Sequence, residues 1–110
     1  MIKNFPEFHE FKDRLLNDGV MLHLFWGENT MLSVVDFEPH SIVPDHSHPH
    51  EQMGMVLEGE FEFTIDGETR TVRDGDFYRV PPNVVHSVKA GDCPARALDI
   101  FSPPREDYMD

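Results

Sequence analysis

From Val20 onward the chain reads as short runs rich in valine, phenylalanine and threonine, cut by glycine and proline. These are "VMLHLFW", "TMLSVVDF", "QMGMVLEG", "EFEFTI", "ETRTV", "DFYRV", "VVHSVKA" and "RALDIF". Runs of this length between turn residues predict strands, and their number predicts an all-β sandwich or barrel. Alternation in "EFEFTI" sets Phe61, Phe63 and Ile65 on one face, the core face of a pleated strand. Asp66-Gly67 follows at once, and Asp-Gly suits the type I′ turn of a tight hairpin. The first nineteen residues follow a different period. Behind Pro6, which a first helical turn tolerates, "EFHEFKDRLL" spaces its apolar residues three and four apart. That spacing predicts a short helix ending near "NDG". The expected organisation is a helical extension over 1–19 and a single β domain over 20–110, with no internal repeat or linker.

Composition narrows the classes of function. A chain of 110 residues holds one domain with one core. Its 21 acidic and 9 basic residues give a formal charge of −12, which argues against nucleic acid and anionic lipid as partners. The single cysteine, Cys93, has no partner for an internal disulfide and reads as a small loop or core thiol, consistent with a reducing compartment. The longest apolar stretch, "VMLHLFW", is far short of the ~20 residues a membrane span needs. The N-terminus lacks a signal peptide's apolar run, so a cytoplasmic location is the expectation.

The chemistry concentrates in "VPDHSHPHEQMGMVLEGEFEF", residues 43–63, where His46, His48 and His50 recur at every second position before Gln52. Strand residues two apart share a face, so His46 and His48 can converge on one ion, although two histidines beside a turn are also ordinary surface residues. Pro49 interrupts the run and leaves His50 either at a pocket edge or in a partly exposed turn. Gln52 offers an amide oxygen. Further on, "DGDFYRVPPNVVH" places Gly75, Pro81 and Asn83 ahead of His86. Asn83 tolerates a left-handed backbone and tightens the turn before His86, which leads the strand "HSVKA". His9, His23 and His40 have no such context and read as structural or surface residues.

In "ALDIFSPPREDY", alternation sets Asp99 and Phe101 on one face of the last strand. If Phe101 faces the interior, Asp99 does too and becomes a candidate acid/base. Pro103 and Pro104 stiffen the strand's exit and fix where Arg105 emerges. Arg105 then faces either the same pocket or a neighbouring acid such as Glu106 or Asp107.

"HSHPHEQMGMVLEG" resembles the first cupin motif, and "GDFYRVPPNVVH" resembles the second, in the expected order and separated by a short hairpin. The resemblance implies a small double-stranded β-helix (jelly-roll) barrel. It also implies His46, His48, Gln52 and His86 as ligands of one divalent transition metal, whether nickel, zinc, iron, manganese or cobalt. Three positions depart from the broad family: Gln52 stands for glutamate, Asn83 for glycine and Ala90 for asparagine. Glutamine cancels none of a cation's charge, which leaves a stronger Lewis acid and anion receptor.

"HPHEQ" together with the terminal "DIFSPPREDY" resembles a narrower group, the KdgF-type cupins of pectin and alginate breakdown, over nearly all of residues 26–108. That resemblance implies ring opening of 4,5-unsaturated uronate monosaccharides to 5-keto-4-deoxyuronate. The pocket residues would be Asp99, Phe101 and Arg105, the partner a small anionic sugar and the assembly a homodimer. A different cupin enzyme, a lyase or a dioxygenase, would give more weight to Tyr78 or His50. A non-catalytic binder of an anionic sugar would gain nothing from Asp99.

Overall fold

The strand pattern becomes two antiparallel sheets facing each other across one core in the computed structural model, which describes residues 3–110. The strands are β1 (Lys12–Asn17), β2 (Val20–Trp26), β3 (Met31–Phe37), β4 (Ile42–His46), β5 (Glu51–Glu58), β6 (Glu60–Ile65), β7 (Glu68–Arg73), β8 (Phe77–Val80), β9 (His86–Ala90) and β10 (Ala95–Ser102). Six form one sheet in the order β1-β2-β3-β10-β5-β8, and four form the other in the order β4-β9-β6-β7. This is the all-β jelly-roll arrangement expected from the motifs.

Alternation supplies the core. In β2 and β3 the inward positions Val20, Leu22, Leu24, Met31, Val35 and Phe37 are buried, and across from them lie Phe61, Phe63 and Val88. Phe37 and Phe61 meet between the sheets with ring centroids 5.0 Å apart. The hairpin at Asp66-Gly67 is formed as read, with φ of 51° and 80°, the two positive angles of a type I′ turn.

The N-terminal helix is not formed. Phe8–Glu10 make a single 3₁₀ turn, and Lys12–Asn17 form β1, paired with β2 through the turn at Asp18 and Gly19. The aromatic spacing that imitates a helix has another use. Phe8 packs on His23 at 5.1 Å and Phe11 stacks on Phe25 at 5.4 Å, so both rings pack against side chains of β2. "NDG", read as a helix stop, is a hairpin turn.

Two connections position the site. β4 ends at His46, so His48 lies in the β4–β5 connection and not on a strand. Asn83 adopts φ 65° in the turn before β9, the left-handed conformation its position called for, and its backbone N–H donates to the His48 carbonyl at 2.8 Å. That bond ties the two histidine-bearing segments together.

Candidate functional site

His46, His48 and His86 converge, with one ring nitrogen from each within 4.8 Å of the others. His46 and His86 are register partners on β4 and β9, and their ring centroids lie 4.1 Å apart. His48 reaches them from its loop, and its ring centroid is 4.9 Å from that of His86. Each ring is held by a local hydrogen bond from Nδ1 to a backbone carbonyl: His46 to Pro44 at 2.9 Å, His48 to His50 at 3.0 Å and His86 to Val84 at 2.9 Å. Donation from Nδ1 fixes the tautomer and leaves the Nε2 lone pair free for a ligand.

The remaining valences fit a cation. His86 Nε2 is buried with no hydrogen-bond partner among the described residues. His48 Nε2 faces Gln52 Oε1 at 3.1 Å, so in this tautomer two acceptors point at each other. Such a pair is unfavourable unless a positive centre lies between or beside the two atoms. Burial lowers the His48 pKa and pushes that of His86 down to about 4, which keeps both rings neutral and able to coordinate at physiological pH. The donor set of three imidazoles and one amide oxygen suits a first-row divalent metal.

The site opens into a pocket of about 480 Å³, mouth included, that runs between the sheets. His46, Gln52, His86, Tyr78, Asp99, Phe101 and Arg105 line it, with walls that include Val35, Phe61 and Phe63. Asp99 and Phe101 share the inward face of β10, as alternation required. The Asp99 carboxyl accepts the Tyr78 hydroxyl at 2.5 Å. Burial raises its pKa to about 6, against lowering contributions from Tyr78, Gln52 and Arg105.

Phe101 is buried and stands edge-on to His48, with ring centroids 5.6 Å apart. Arg105 satisfies both readings offered for it. It is buried and lines the pocket, yet its Nε and Nη2 already engage Asp107 at 3.3 and 2.8 Å. Its guanidinium also lies over the Tyr108 ring, 4.0 Å from the centroid. An incoming carboxylate must therefore use Nη1 or displace Asp107.

His50 is not a partly exposed turn residue. Its side chain is buried, with Nε2 3.3 Å from Glu106 Oε2 and Nδ1 without a partner among the described residues. One polar pocket residue escaped the sequence reading of the site. Ser33 is buried beside Asp99 with its hydroxyl unpartnered among the described residues, and the clue was a polar residue at an inward position of "TMLSVVDF". Tyr78 was named from the sequence only as a residue that a different cupin enzyme would favour, and its contact with Asp99, which spans three strands, gave no signal.

Among the described residues, no helix is long and apolar enough to cross a membrane.

Residues 33–101 match the family described as the cupin domain. The chain is 33% identical over 96 residues to the pectin degradation protein KdgF of Dickeya dadantii, spanning 86% of this chain and 87% of that protein. The structure of KdgF from Halomonas superimposes with a TM-score of 0.87 at 28% identity, covering 96% of this chain and 98% of that one. An RmlC-like cupin from Shewanella frigidimarina superimposes with a TM-score of 0.88 at 27% identity, covering 96% of each chain. With both histidine segments converging inside a jelly roll, and with these relatives, the chain belongs to the cupin family and is a homologue of the pectin degradation protein KdgF.

Proposed function

We propose that this protein opens the ring of 4,5-unsaturated uronate monosaccharides, giving 5-keto-4-deoxyuronate. The observation that carries the reading is the meeting, in one pocket, of an acid/base carboxyl, a buried guanidinium and a cluster of neutral metal-type donors. The relative named for pectin degradation supports the substrate class.

The substrate is a cyclic hemiacetal whose ring oxygen is attached to a C4=C5 double bond beside a carboxylate. Asp99 takes the proton of the anomeric hydroxyl. As C1=O forms, the bond from C1 to the ring oxygen breaks, and its electron pair leaves as the enolate of C4=C5. A proton returned to C4 converts the enolate to the C5 ketone. One proton has moved and nothing is oxidised. A carboxyl held near pKa 6 accepts and returns a proton readily around neutral pH.

Arg105 receives the substrate carboxylate, and a planar guanidinium suits that partner. Phe101 and the apolar walls pack against the sugar and exclude water. A divalent cation held by His46, His48, Gln52 and His86 would supply Lewis acidity toward the carboxylate and the enolate oxygen. The formal charge of −12 opposes an anionic ligand at long range, but salt screens it beyond about 8–10 Å. Inside the pocket, Arg105 and a cation held by the donor cluster would set the local field.

The test is loss of double-bond absorbance from unsaturated galacturonate or mannuronate. Because this ring opens slowly without a catalyst, the rate is compared with buffer alone. The reading requires an increment proportional to protein concentration that falls in Asp99→Asn and Arg105→Ala at unchanged metal content. If neither uronate shows an increment, the reading is wrong.

A further inference from the structure

Asp99, Gly54 and Tyr78 form one row across the sheet. Gly54 on β5 is the register partner both of Asp99 on β10 and of Tyr78 on β8. Neighbouring strands lie about 4.8 Å apart, so the two outer residues of such a row are normally separated by the middle side chain. Gly54 has no side chain, and the tyrosine crosses the open position to donate its hydroxyl to Asp99 Oδ1 at 2.5 Å. The fit leaves no room for another residue. A Cβ on Gly54 would lie 2.6 Å from Asp99 Oδ1, 2.8 Å from Tyr78 Cε1 and 2.5 Å from the Leu98 carbonyl oxygen. Edge-on packing on Phe63, with centroids 4.7 Å apart, holds the tyrosine ring in this crossing position.

We propose that Tyr78 is a positioning residue that reaches over Gly54 to fix the orientation of the Asp99 carboxyl in the pocket. The proposal rests on the role given to Asp99 in ring opening and adds a residue that the reaction scheme leaves unused. A tyrosine hydroxyl donates a single hydrogen bond, so engaging Oδ1 restrains how the carboxyl can turn, together with the Gln52 side chain that also acts on it. Pre-orientation of this kind acts on turnover more than on substrate binding.

Tyr78→Phe tests it, because phenylalanine keeps the ring on Phe63 and removes only the hydroxyl. The expected result is a fall in kcat of about ten- to a hundredfold, with KM, metal content and melting temperature near those of the parent. In an Asp99→Asn background the same substitution should cause no further loss. Full activity in Tyr78→Phe, or an equal loss in both backgrounds, overturns the proposal.

A crystal structure of Tyr78→Phe provides an arm independent of turnover. The Asp99 carboxyl should rotate or occupy more than one orientation, and a single unchanged orientation overturns the positioning role. If the parent protein opens no unsaturated uronate, the proposed reaction fails, and the crystal structure still decides the claim about Tyr78.

Discussion

His48 Nε2 and Gln52 Oε1 face each other at 3.1 Å, while His48 Nδ1 is committed to the His50 carbonyl at 3.0 Å. The ring therefore presents a lone pair to an amide oxygen, an arrangement that a bound cation makes favourable. As a fourth ligand, Gln52 would complete the donor set without adding negative charge. Gln52→Glu should bind divalent metal more tightly, by about tenfold or more, because ligand charge is the main control on affinity at fixed geometry. Uronate turnover should fall at the same time, because the added carboxylate weakens the field that receives the substrate. Competition with a chelator measures the first effect and steady-state kinetics the second.

Asp107 holds two of the nitrogens of Arg105, and Tyr108 supports the guanidinium plane. If the substrate carboxylate competes with Asp107 for that fork, Asp107→Asn should lower KM about two- to fivefold, with kcat little changed. A raised KM would show that Asp107 holds Arg105 in place for the substrate.

Gly54 has no room for a methyl group. Gly54→Ala meets backbone at 2.5 Å and both members of the Tyr78–Asp99 pair within 2.8 Å. Overpacking of this kind costs about 1–3 kcal/mol. Thermal denaturation should show the loss, and turnover should fall by more than Tyr78→Phe alone causes.

A second carboxylate, Asp36, contributes to stability through a partly exposed ion pair. Asp36 accepts from Arg96 at 2.6 and 3.0 Å and pairs with His23 at 2.9 Å. The Arg96 bond chiefly lowers its pKa, with His23 adding to the effect and burial opposing it. A carboxyl whose folded pKa lies below its unfolded value stabilises the protein above the unfolded value and loses that contribution as pH falls through the folded one. Both side chains are more than a third exposed, at 37% and 39%, so screening limits the gain to about 1 kcal/mol or less. Asp36→Asn should melt lower than the parent at pH 7, and the gap should close once the pH is well below about 3.8. A gap that persists in acid would point to packing and not charge.

The parts of the site legible in the sequence are those fixed locally. Alternation placed Asp99 and Phe101 together, and the Asn83 turn and the Asp66-Gly67 hairpin follow from side-chain preferences at single positions. The loop position of His48 was not legible, because two-residue spacing looks the same on a strand and in a bend. The N-terminal strand was misread because Phe8 and Phe11 have helical spacing but pack on β2, a partner that the local period cannot show. Gly54, and the pairing of Tyr78 with Asp99, were invisible for a related reason. The meeting of these residues depends on the register of three strands, β10, β5 and β8, which are not consecutive in the chain.

Ring opening itself is most directly tested by proton NMR of an unsaturated uronate monosaccharide mixed with metal-loaded protein. The vinylic C4 proton signal should decay faster than in buffer, in proportion to protein concentration. Signals of the C4 methylene of the 5-keto product should replace it, without consumption of oxygen or release of carbon dioxide. A vinylic signal that decays only at the buffer rate, or decay accompanied by oxygen uptake or decarboxylation, would contradict the account.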